Sequence, residues 1–131
     1  MTAMTMANPF RYIATPRASD WKDAFVAVLP SAISDKRTLL EELAQVLAFP
    51  AYFGFNWDAL FDCLRDFNWI EEQLVVLVHS DLPALSESDL KIYVRLLRDS
   101  VLDWRPGEAH RFEVAFAQSD GEVVERLLRE A

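Results

Sequence analysis

The sequence is poor in the residues from which most chemistry is built. A single cysteine, Cys63, in 131 residues excludes an internal disulfide framework. The only histidines, His79 and His110, lie far apart in sequence and in no recognisable catalytic motif. Cys63 with a histidine is the one nucleophile pair that could be assembled. It is disfavoured, because Cys63 falls on the inward face of an expected helix with two acids nearby, which raises a thiol pKa. Three glycines, Gly54, Gly107 and Gly121, cannot make a phosphate-cradling loop. No stretch approaches the ~20 apolar residues of a membrane span. The opening MTAMTMANPF lacks a basic region followed by an apolar run, so it does not read as a signal peptide. These absences point to a cytoplasmic protein that is not an enzyme and needs no cofactor, metal or membrane.

What is present is apolar and acidic. Apolar residues make up 52% of the chain, enough for one domain with its own core. Thirteen basic against 21 acidic residues give a net charge of −8. That balance disfavours nucleic acid, whose binding needs a basic footprint. It favours basic partners and fast, salt-sensitive association.

Taken in order, residues 1–23 read as an extended arm interrupted by Pro9 and Pro16, in which Phe10, Tyr12 and Ile13 either add a short strand or pack on the body. The body is residues 24–131. Phe25 to Leu29, bounded by Pro30, fits a buried strand. Ser34 is the expected cap of a helix with Asp35 in its first turn, and Leu39, Leu40, Leu43, Val46 and Leu47 form its buried stripe. Gln73 to Val78 is a continuously apolar strand, covered on both faces. Ser86 and Asp89 form a capping box ahead of a stripe through Leu90, Tyr93, Val94, Leu97, Val101 and Trp104, which Pro106-Gly107 ends. Phe112 to Ala117 reads as a third strand. Ser119 and Glu122 predict a second capping box for a closing helix on Val123, Val124, Leu127 and Leu128. Strands alternating with helices predict an α/β fold around a small parallel sheet.

The chain is organised around Phe49 to Trp69, FPAYFGFNWDALFDCLRDFNW. Pro50 stops the preceding helix. Gly54 frees the backbone for a sharp turn or a close approach. Asn56 is a good N-cap for a helix expected to run from Trp57 to about Phe67. At 100° per residue, Ala59, Leu60, Cys63, Leu64 and Phe67 share one arc. The opposite arc holds Trp57, Phe61, Arg65 and the carboxylates of Asp58, Asp62 and Asp66 at i, i+4 and i+8. Like charges so spaced cost a few tenths of a kcal/mol each. With aromatics beside them, they suit entry into a cationic cleft on a partner. As a calcium site they lack the loop oxygens and the glycine turn.

The run Tyr52 to Leu64, YFGFNWDALFDCL, resembles the signature of the barstar family, intracellular inhibitors of secreted microbial ribonucleases. Ile33-Ser34-Asp35, the leucine-rich helix and the proline before the aromatic pair agree, and the likeness extends over roughly residues 24 to 118. It implies a compact three-stranded parallel sheet packed by helices, here with an N-terminal arm and an extra C-terminal helix. It implies a basic extracellular or toxin-type ribonuclease as a 1:1 partner, and an immunity-type role. By motif, Asp62 is the central carboxylate among the enzyme's phosphate-binding cations and Asp58 a second contact. Tyr52 reaches the catalytic region from the turn, Asn56 touches the partner, Gly54 permits the approach, and Phe61 is the aromatic rim. Trp57, Arg65 and Asp66 border this set and depart from the family's best-known member, with Arg65 in reach of Asp62 to offset the ridge. A further acidic contact comes from the helix after the second strand, with Glu87 and Asp89 as candidates. The alternative is a module of the same fold that inhibits nothing and binds another basic protein.

Overall fold

The computed structural model describes residues 9–130. Residues 1–8 of the expected arm therefore lie outside the described residues. Four parallel strands form one sheet: β1 (Phe10–Ile13), β2 (Ala24–Leu29), β3 (Leu74–His79) and β4 (Arg111–Ala117), in the order β1-β4-β3-β2. Four α-helices accompany them: α1 (Lys36–Val46), α2 (Trp57–Leu64), α3 (Glu87–Asp103) and α4 (Gly121–Arg129).

The sheet has four strands and not the expected three, because the arm supplies β1. Phe10 pairs with Val114 and Ile13 with Ala117 along β4. The reason is side-chain burial: Phe10 is buried edge-on against Phe116, with ring centroids 5.1 Å apart, and Tyr12 stacks on the same ring. Tyr12 donates its phenolic hydrogen to Glu125 of α4, so the first strand and the last helix hold each other. Burial and that carboxylate both push the Tyr12 pKa upward.

The alternation of the strands sorts the core. Ala27 and Leu29 of β2, Val75 and Leu77 of β3, and Phe112, Val114 and Phe116 of β4 join the buried faces of all four helices in one cluster. The reverse face carries Val76, Val78 and Ala115, covered by Trp21 and its neighbours. Trp21 is fixed there by its indole N–H, which donates to Glu113 at 3.1 Å. β3, buried from Val75 to His79, is the strand covered on both sides that its apolar run predicts.

Three helix starts and ends differ from expectation. Asp35, not Ser34, caps α1: its carboxylate accepts from the Thr38 amide at 2.7 Å and from the Thr38 hydroxyl at 3.1 Å. A carboxylate satisfies the orphan amide and suits the positive helix end, so it displaces the serine one residue earlier. Ser119 caps nothing. A 3-10 turn over Gln118–Asp120 leads directly into α4, and its cap Asp120 makes no side-chain bond. α2 stops at Leu64, three residues short of Phe67, which takes a left-handed backbone at φ 55°. The capping serine of α3 is as expected, with Ser86 Oγ accepting from the Asp89 amide at 3.2 Å.

Candidate functional site

A ladder of rings sets the turn ahead of α2. Trp69 donates its indole N–H to the Leu47 carbonyl at 3.0 Å, and its ring meets Phe49. Phe49 packs on buried Phe53 at 4.8 Å, Phe53 on Phe55 at 4.9 Å, and the Arg37 guanidinium closes the series 4.7 Å from the Phe55 ring. Phe55 adopts a left-handed backbone at φ 54°, which costs a non-glycine residue about 1–2 kcal/mol. The ladder supplies the compensation. The sharp bend thus sits at Phe55, whereas Gly54 has no left-handed φ. What Gly54 contributes is room: a Cβ there would stand 3.3 Å from the Asn56 amide nitrogen. With Phe53 turned inward, Tyr52 is left 73% exposed.

Asn56 starts α2 as its sequence predicts. Its Oδ1 accepts from the Ala59 amide at 2.8 Å, while its Nδ2 donates to the Gly54 carbonyl at 3.3 Å. Both ends of the side chain are therefore occupied in shaping the turn. Leu60, Cys63 and Leu64 face the core. Asp58 and Asp62 are exposed on the outer face, with Phe61 half-buried beside them. Neither carboxylate has an ion pair or hydrogen bond among the described residues. Trp57 is divided between core and surface: its ring lies 6.2 Å from Tyr93 of α3, with the Lys36 ammonium 5.0 Å from its centroid.

The two residues at the far end of the ridge behave differently. Arg65 does not reach back to Asp62. Its Nε pairs with Asp103 of α3 at 2.6 Å, a second nitrogen lies 3.9 Å from Glu108, and the guanidinium stacks 4.2 Å from the Trp104 ring. The reason is that α2 ends there: Arg65 is its C-cap, and the α3 end offers acids and an indole face together. Asp66 lies beyond the helix, half-buried, accepting from the Asn68 amide at 2.9 Å. The ridge is thus a pair of carboxylates, not three in line.

α3 completes the surface. A groove of about 580 Å³ runs between the two helices, lined by Trp57, Asp58, Phe61 and Asp62 on one side and Ile92, Arg95, Leu96 and Asp99 on the other. The α3 acid beside the ridge is Asp99, which carries an ion pair with neighbouring Arg98 at 3.0 Å. Glu87 and Asp89 occupy the opposite end of the helix, in its first turn, and Glu87 faces Arg126 of α4 at 3.6 Å. The signal that would have found Asp99 is its place about one turn from the C-terminal end of α3, on the exposed side of the Leu90–Tyr93–Val94–Leu97 stripe.

Cys63 and the two histidines each sit in a defined environment. Burial, then the charges of Asp66 and Asp62, pushes the Cys63 thiol up to about 11, which keeps it protonated and inert. His79 is buried between Phe116 and Tyr93. The Ala115 carbonyl 3.1 Å from Nδ1 can only accept, so Nδ1 carries the proton and Nε2 accepts from the Tyr93 hydroxyl at 2.7 Å. His110 is likewise held at Nδ1 by the Glu72 carbonyl. Among the described residues no three His, Cys, Asp or Glu side chains gather as a metal site would require, and no helix is long and apolar enough to cross a membrane.

No curated protein matches this sequence. A family does: the one described as Barstar (barnase inhibitor) matches residues 19–118, which takes in β2 through β4 and the whole of the turn and helix just described. With more than half of its length so matched, and with a parallel sheet carrying an acidic helix behind an aromatic turn, the chain belongs to the barstar family.

Proposed function

We propose that this protein inhibits a basic microbial ribonuclease by placing α2 and the turn before it in the enzyme's active site. One observation carries the reading: Asp58 and Asp62 stand exposed and without a cation on the outer face of α2, while Arg65 is committed elsewhere. A ribonuclease that cleaves a polyanion lines its cleft with arginine, lysine and histidine. Carboxylates can take the positions of the phosphates, and arginine forks bind them through paired, charge-assisted hydrogen bonds. Holding those carboxylates on a capped helix, behind a turn fixed by stacked rings, keeps the ordering cost of binding low. The net charge of −8 steers encounter with a cationic protein.

Placement supports the following roles. Asp62 is the central carboxylate, Asp58 the second and Asp99 the acid contributed by α3. Tyr52 in the turn and Phe61 beside the pair are the aromatic contacts. Asn56, Gly54 and Trp57 act chiefly by fixing the turn and the start of α2. Arg65 and Asp66 act from the helix end, as supports more than contacts. Such a protein acts inside the cell that makes the enzyme and protects it there, one inhibitor per ribonuclease. It contacts protein and not nucleic acid.

The test is titration. RNA cleavage by barnase, and by the basic ribonuclease encoded beside this chain's gene, is measured against increasing protein at low salt. The expected result is loss of cleavage with a break at one equivalent. Full activity of both enzymes at several equivalents would refute inhibition, leaving the fold to serve as a docking module for some other basic protein.

A further inference from the structure

The exposed apolar side chains of this protein are not scattered. Among the described residues six large hydrophobic side chains are exposed: Val28, Tyr52, Phe55, Ile92, Leu102 and Val123. Four of these border the acidic ridge. Tyr52 and Phe55 lie in the turn before α2. Ile92, 43% exposed, lines the 580 Å³ groove, and Leu102, 50% exposed, lines a second groove of about 330 Å³ with Phe61, Asp99 and Asp103. The two grooves share Phe61 and Asp99, so they are neighbouring parts of one surface.

The α3 half of this surface has a regular layout. Ile92, Leu96, Asp99 and Leu102 fall within an arc of about 120° at helical spacing, and Ile92 and Leu102 are separated by about 15 Å along the axis. The core stripe of α3 is a different set, Leu90, Tyr93, Val94 and Leu97, all buried. Ile92 and Leu102 therefore contribute nothing to the core. Two exposed branched aliphatic side chains, Ile92 beside the unpaired Asp58 and Asp62 and Leu102 beside the ion-paired Asp99 and Asp103, are what a partner-facing rim requires.

We infer that Ile92 and Leu102 are contacts for the ribonuclease, and that they decide which basic enzyme is accepted. The inference rests on the inhibitor reading above. The occupant is a basic protein whose cationic cleft is edged by apolar side chains at two points about 15 Å apart. Charge complementarity selects the class of partner, because Asp58, Asp62 and Asp99 attract any cationic cleft and govern the association rate. Carboxylates alone discriminate poorly between one polyanion-cleaving enzyme and another. Apolar anchors at the ends of the surface fit only where the partner presents matching apolar contacts, and they act on dissociation. They also shut water away from the charge pairs between them.

The experiment measures association and dissociation rates of the full chain with whichever of barnase and the neighbouring-gene ribonuclease it inhibits more tightly. Ile92→Ser and Leu102→Ser are compared with Val28→Ser and Val123→Ser, exposed sites outside both grooves, and with Asp62→Lys. Circular dichroism checks that each variant folds. The expected result is dissociation faster by about tenfold for each α3 variant, with association rate and its salt dependence within about twofold of the parent, and no change in the two controls. If both α3 variants dissociate at the parental rate while Asp62→Lys abolishes binding, the inference is overturned and the inhibitor reading stands. If the parent protein binds neither enzyme, both fall together.

Discussion

The outer face of α2 and its C-terminal corner treat charge in opposite ways. At the C-terminal end Arg65 is matched by Asp103 and Glu108, its plane rests on Trp104, and the Trp104 indole donates to the Leu64 carbonyl at 2.8 Å. Along the outer face Asp58 and Asp62 have no ion pair or hydrogen bond among the described residues. The first arrangement ties α2 to α3 and stabilises the fold. The second costs a little stability through like-charge repulsion, offset in part by Asp58 near the positive N-terminus of the helix. A protein able to pair its carboxylates at the corner of a two-turn helix has left them open along its outer face. The open pair is therefore read as functional and the closed corner as structural.

The strongest way to break this comparison is to reverse a charge in the open pair. Asp62→Lys should weaken ribonuclease binding by at least about 100-fold, since an interfacial charge loses its partner and gains a repulsion. Stability should stay within about 0.5 kcal/mol of the parent in denaturant titration, as expected of an exposed site. Cooperative unfolding at markedly lower denaturant would mean that the outer face of α2 belongs to the core after all.

Acid should act on the fold beneath the site. Burial lowers the His79 pKa from 6.5 to about 4. The unfolded chain then takes up a proton near pH 6.5 and the folded one does not, so falling pH favours unfolding. The contribution of neutral His79 is fully present above pH 6.5 and is lost progressively as pH falls towards 4, amounting to about 3 kcal/mol in total. Denaturant midpoints at pH 7, 6, 5 and 4.5 read it directly. Because the Tyr93 ring lies against Trp57, ribonuclease affinity should fall in the same window. A flat stability profile between pH 6.5 and 5 would exclude a neutral, buried His79.

The closed corner sharpens the comparison from the other side. Arg65→Ala removes a half-buried cation from an indole face and from two acids, and should cost about 1–2 kcal/mol of stability. If the corner is structural, inhibition at one equivalent persists at temperatures where the variant is folded. A large loss of affinity with unchanged stability would instead make Arg65 a direct contact.

These opposed roles show what could be read from residues alone. The helical stripe of Leu39, Leu40 and Leu43, the apolar run of β3 and the outward placement of Asp58 and Asp62 all follow from periodicity, because burial repeats with the backbone. Asn56 was legible as a cap because it precedes an apolar arc and can satisfy a helix amide. Periodicity is silent where a short segment is held by distant partners. β1 has four residues, too few for a pattern, and is fixed by Phe116 and Glu125, more than a hundred positions away. A reach from Arg65 to Asp62 presumes a helix that runs on to Phe67, whereas α2 stops at Leu64 and Arg65 turns to the end of α3. Asp99 escapes the sequence because only the packing of α3 against α2 brings it to the ridge.

The attachment of β1 has a practical consequence for anyone who trims this chain. A fragment cut to residues 19–118 would keep the acidic helix and its turn, yet would lose the first strand and the closing helix. β4 would become the border of the sheet, its main-chain donors and acceptors unpaired and Phe116 stripped of two aromatic neighbours. A bare hydrophobic margin of that kind recruits strands from other molecules. The shortest piece that resembles the family is, for this protein, a recipe for self-association.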